Sequence, residues 1–262
     1  MRQLRLIGAL VRLKIARQTA FRLGFFGPLF VDGSLFILQI LMFSAIFAHV
    51  DSIAGWGRGQ TLLFIGTFSL INAINMTVFF FGIQGLPNLV RNGDFDGYLT
   101  RPVNPLLRLT FENVNLGSAP LILFSIGIIV YAVRVIGLTP TFLQVGGYGL
   151  LVFAMLVLWY DLMVLLRSVV FFVISASSIG RLEGAFLEMC MMLPGTAYKG
   201  VFRLIFQVLL PYGIIGTVPV QFFSGILAPG ELAGALATVG VFTVLAWGTF
   251  RVGCRNYKSA SS

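Results

Sequence analysis

The chain has 262 residues, of which 58% are hydrophobic and only 10% charged, roughly half the charge of an ordinary soluble domain. That balance excludes a water-soluble fold, and several apolar runs reach the ~20 residues that carry a helix across a bilayer. The net charge of +9 is expected to record membrane topology and contact with an anionic leaflet, and no nucleic-acid partner is implied by it.

In chain order, the first element is an amphipathic stretch. Leu4, Ile7, Val11 and Ile15 share one helical face, with Arg2, Arg5 and Arg12 beside it, which predicts an interfacial helix within residues 1–27. An irregular basic tail is the alternative. The apolar run that follows is too long for a signal-peptide core and is read as a retained first span.

Six spans are expected, at about residues 30–50, 61–83, 113–133, 143–166, 204–226 and 232–250. Turn chemistry separates several of them: Gly55, Gly57 and Gly59, then Gly137 to Pro140, then Ala228-Pro229-Gly230. Basic residues resist translocation. Six precede the first span (Arg2, Arg5, Arg12, Lys14, Arg17, Arg22) and three lie after the second (Arg91, Arg101, Arg108). Four follow the fourth span (Arg167, Arg181, Lys199, Arg203) and three the sixth (Arg251, Arg255, Lys258). Only Arg58 and Arg134 remain for the other side, so sixteen against two places both termini in the cytoplasm. Residues 167–203 are read as cytoplasmic or interfacial, with Glu183 and Glu188 facing the cytoplasm, and Asp161 as a structural partner of Arg167 or of lipid head groups.

No catalytic centre emerges. His49 sits at the end of the first span, and Cys190 and Cys254 lack metal-ligand or disulfide spacing. Phe223-Ser224-Gly225 lacks the earlier glycine of a GxSG motif. A phosphate-cradling loop needs Gly-Lys-Ser/Thr, and the chain has no Gly-Lys dipeptide. Neither a catalytic residue, a metal site nor a cofactor in this chain is expected; energy has to come from a separate protein.

The stretch between the second and third spans, RNGDFDGYLTRPVNP (residues 91–105), breaks the apolar pattern. Leu86 to Val90 and Leu106 to Leu109 anchor its flanks. Asn92-Gly93 and Asp96-Gly97 form turns, and Arg101-Pro102 and Asn104-Pro105 restrict the backbone. Stiffness with exposed charge suits a docking surface, the plain alternative being a solvated loop.

Gly93-Asp94-Phe95-Asp96-Gly97-Tyr98-Leu99-Thr100-Arg101-Pro102 resembles the G-x-[LF]-D-x-x-L-x-[RK]-P signature of ABC-2 type permeases, in their small six-span branch. Trp247-Gly248 through Arg255-Asn256-Tyr257-Lys258-Ser259 resembles that branch's ending. The resemblance implies an all-α polytopic fold of one domain, type V exporter-like, with a connecting helix near Gln3 to Leu23 and a coupling loop over residues 85–112. It implies a transport subunit, not an enzyme, in a prokaryotic inner membrane, moving a hydrophobic or amphipathic substrate outward. ATP and Mg would sit on two partner ATPase subunits, and a second permease would complete the complex, a related heterodimer being favoured over a homodimer. Membrane lipids are the remaining partners. Arg91, Asp94, Asp96, Tyr98, Arg101 and Pro102 would contact the ATPase. Asn72, Asn75, Met76, Phe79 and Gln221, with Gln207, would line the substrate path, although polar side chains in a span also serve as hydrogen-bonding glue between helices. A lipid-modifying membrane enzyme and a non-catalytic assembly protein are the rival readings.

Overall fold

The computed structural model describes residues 22–173 and 177–257, with Gly8, Val11, Arg12, Lys14 and Ala16 of the leading segment, where most of the expected interfacial helix lies outside the described residues. Twelve α-helices follow one another among the described residues: α1 (Arg22–Ile46), α2 (Arg58–Val78), α3 (Phe80–Gln84), α4 (Leu86–Asn92), α5 (Asp96–Leu99) and α6 (Pro105–Glu112). Then come α7 (Pro120–Ile136), α8 (Phe142–Ser168), α9 (Ser177–Met192), α10 (Gly200–Leu204), α11 (Tyr212–Phe223) and α12 (Pro229–Asn256).

The hydrophobic pattern becomes helices whose ends carry the expected chemistry. Thr141 caps α8 by a reciprocal pair with Gln144, and Gly137 closes α7 in the left-handed conformation at φ 76°. Among the described residues, four helices are long and apolar enough to cross a membrane: α2, α7 with the turn before it, α8 with the turn after it, and α12. The apolar part of the first helix, Phe30–Ile46, is shorter than a span.

The expected fifth span differs most. It is a broken pair, Gly200–Leu209 and Tyr212–Phe223, bent by 86°. The cause is local: residues 205–209 wind as a π-turn, and Pro211 cannot donate into a continuing helix. Ahead of this break, α9 packs on α8 and α11.

Helix α2 is the axis of the protomer. It is buried along almost its whole length and packs on α7, α8 and α11. Small residues allow that approach: Gly66 lies against Ile128 and Ile129, Gly216 against Phe64 and Phe68, and Gly147 against Phe222. An aromatic ladder runs from Trp56 through Phe64 and Phe68 to Trp159, with ring centroids 5.3–6.0 Å apart. Helices α7 and α12 turn apolar side chains such as Leu123, Val130, Val244 and Trp247 outward, as lipid-facing surfaces do.

Buried polar groups link the helices. The Gln39 amide donates to the Met191 carbonyl at 2.6 Å, which joins α1 to α9. Two expectations are corrected. Glu183 is 3% exposed and pairs with Arg167 at 2.6 Å, so it does not face the cytoplasm. Asp161 accepts from the Thr243 hydroxyl on α12 and, among the described residues, is not paired with Arg167.

Candidate functional site

Residues 79–119 form a packed helical layer at one end of the bundle. The chain leaves α2 at Phe79, whose φ of −132° ends the helix, and returns through α3 and α4. Gly93, at φ 80°, closes α4 in the left-handed conformation, which a side chain would strain. Asn104 accepts from the Leu106 amide to start α6. The Asn115 amide then donates to the Thr77 carbonyl at 2.8 Å, tying the far end of the layer back to α2.

Two internal clamps make this layer stiff. Phe95 is fully buried, 5.2 Å from Phe171 beyond α8, 6.4 Å from Phe250 on α12 and 5.4 Å from Tyr257 after it. Its own neighbour Tyr98 stacks on it at 5.8 Å. The second clamp is Arg108, whose guanidinium lies 4.1 Å over the Tyr98 ring, donates to the Gly97 carbonyl at 2.9 Å and pairs with Glu112 at 2.9 Å. Burial pushes the Tyr98 hydroxyl up to about 12, and the Glu112 carboxylate beside it acts in the same direction. Burial raises Tyr257 as well, with Asp96 and Asp94 adding to it.

The six residues expected to meet an ATPase divide between the two faces of this layer. Arg91, Asp94, Arg101 and Pro102 are exposed along one ridge with Leu99 and Leu107, and Asp96 is half-buried. Tyr98 turns inward, so any part it plays in docking is as a support. Sequence reasoning missed Phe95 and Arg108 as the supports of that ridge. One signal was present: Phe95 is the single phenylalanine in fifteen mostly polar residues.

Of the residues expected along a substrate path, Asn72, Asn75, Met76 and Phe79 lie together at the end of α2 and Gln221 lies on α11. Asn72, Asn75 and Phe79 are buried inside the protomer, Phe79 edge-on to Tyr160 at 5.0 Å, and Met76 is half-buried. The Asn75 amide is fully buried without a hydrogen-bond partner. Gln221 lies elsewhere, with Gln207, in a cavity of about 630 Å³ between α10, α11 and the start of α12.

This cavity also receives Lys199 and Arg203, together with Glu231 and Thr238. Helix α12 fixes its level. The helix begins at the cavity, with Glu231, and ends against the packed layer, where Phe250 and Tyr257 meet Phe95. Thr238 precedes Asn256 by eighteen residues, about 27 Å of helix. Lys199 and Arg203 therefore occupy the end of the bundle opposite Arg91 and Arg101. This corrects the side on which the sequence count placed Lys199 and Arg203.

Residues 34–261 match the family model described as ABC-2 family transporter protein. Comparison with curated proteins and with solved structures returned no match.

Proposed function

The chain belongs to the ABC-2 transporter family, and from that premise we propose that it is the permease subunit of an exporter whose motion is supplied through the 79–119 layer by a separate ATPase. Membership makes it a membrane permease component of an ABC transporter that associates with ABC ATPase subunits. The finer reading adds the direction, outward, and the cargo, a hydrophobic or amphipathic molecule. It also adds the setting: a prokaryotic inner membrane, both termini cytoplasmic, two ATPase copies binding ATP and Mg, and a second, related permease. Six crossings are retained in this reading, the fifth built from α9 to α11.

The observation that carries the coupling role is the way the exposed ridge is braced. A force on Asp94, Arg101 or Pro102 meets neighbouring backbone held by Phe95 and Arg108. From Phe95 it passes to Phe171 and Phe250, hence to α8 and α12; from Asn115 it passes to Thr77 on α2. Stiff, contiguous packing with two arrangements of the whole bundle is what transmits displacement across a protein.

The test is capture of the tagged chain from detergent-solubilised membranes. A roughly stoichiometric P-loop ATPase should accompany it. The double charge reversal Asp94→Lys with Arg101→Glu should lower ATPase recovery and substrate-stimulated hydrolysis while membrane insertion is unchanged. Full recovery and full coupled hydrolysis in that variant would sink the docking role.

A further inference from the structure

We infer that the 630 Å³ cavity between α10, α11 and the start of α12 is a binding site for the anionic head group of an amphiphile. The inference rests on the permease reading above and specifies the chemistry of a molecule held at the end of the bundle away from the ATPase layer.

Four observations support it. First, the cavity concentrates charge of one sign. Lys199 and Arg203 both line it, and among the described residues neither has a carboxylate within ion-pair distance. The one acid present, Glu231, turns its carboxylate to the Ala228 amide, 3.3 Å away at the start of α12. Second, the arginine is held in place. Its Nε donates to Gln207 Oε1 at 3.1 Å, and the Gln207 amide in turn donates to the Gly195 carbonyl at 2.9 Å. The terminal guanidinium nitrogens are thus presented as a fixed fork, the geometry that suits a phosphate or carboxylate.

Third, Gln221 and Thr238 add uncharged polar groups to the wall, and the volume fits a head group rather than a single ion. Fourth, α10 and the π-turn after it supply an apolar track. Val201, Phe202, Leu204, Val208 and Leu209 stand 57–72% exposed beside the two cations. A cationic recess opening onto an apolar strip is complementary to a molecule with an acidic head and a hydrocarbon tail. It is not complementary to a neutral glycoside or to a cationic drug, and a free anion would leave the strip without use.

Titration calorimetry on the purified chain in neutral sugar detergent tests this, with dodecyl phosphate, inorganic phosphate and dodecyl trimethylammonium as probes. Dodecyl phosphate should bind, and Lys199→Gln with Arg203→Gln should weaken it at least about tenfold, as expected for the loss of charge-assisted contacts. Arg203→Lys, which keeps the charge but loses the fork, should bind with an affinity between those of the parent chain and the double variant, which separates loss of charge from loss of fold, and Arg251→Gln at the other end of α12 should change nothing. The inference is overturned if inorganic phosphate binds as tightly, if dodecyl trimethylammonium does, if the double variant keeps its affinity, or if Arg251→Gln weakens binding equally. No ATPase is needed for this measurement, so a failed coupling experiment and a failed binding experiment point to different errors.

Discussion

Gly82 on α3 lies so close to the Leu109 carbonyl on α6 that a methyl group on its α-carbon would overlap that oxygen. The obstruction is backbone, not a side chain that could swing away. Gly82→Ala should therefore force the two short helices apart, at a cost of roughly 1–3 kcal/mol or more. Gly97, where an added carbon meets nothing within 4 Å and φ needs no glycine, should accept alanine. Paired thermal unfolding curves and ATPase recovery for the two variants check this; equal tolerance would mean that the layer is looser than its packing implies.

Phe95→Ala should be among the most damaging changes in the layer. It empties a site bordered by Tyr98, Phe171, Phe250 and Tyr257, and buried Phe→Ala changes cost about 3–5 kcal/mol. Phe95→Leu should recover part of that. A melting temperature that did not separate alanine from leucine would argue against a packed cluster.

Tyr98 should titrate late. Its neutral form is favoured in the fold, so its contribution to stability is complete below pH 10 and is lost as pH rises through about 12. The difference in phenolate absorbance between the parent chain and Tyr98→Phe should remain near zero at pH 10.5 and appear only well above it. A normal titration would place the ring in water and remove the Arg108 clamp.

Arg167 and Glu183 hold α8 to α9, with the Tyr212 hydroxyl donating to the same carboxylate at 3.0 Å. Removing one charge leaves the other buried alone, at a cost of about 3–5 kcal/mol. Arg167→Met or Glu183→Leu singly should lower the temperature at which the protein aggregates in detergent, and the two together should restore most of it. A double variant as poor as the worse single one would show that the pair does more than balance charge.

The sequence made the apolar helices and their polarity legible because span length and loop charge are local properties. The charge ridge at Asp94, Arg101 and Pro102 was legible for the same reason. What holds that ridge was not: Phe171, Phe250 and Tyr257 reach Phe95 from far along the chain, and no local pattern announces such a meeting. The break at Leu210-Pro211 was hidden because the run around it is mostly apolar, so hydropathy reads one span where the backbone makes two half-length helices. Lys199 and Arg203 were assigned to the wrong end for that same reason, since a missed break reverses the side on which the preceding residues are counted.

The right-angled break also constrains how the chain enters the bilayer during synthesis. Gly200–Leu209 and Tyr212–Phe223 are each too short to cross alone, and the freed backbone groups between them need protein around them at membrane depth. Neither half has an independent claim on the lipid phase. The pair must be received by α2 and α8, already in place, and be sealed by α12 as it emerges, so this region is assembled last and in company.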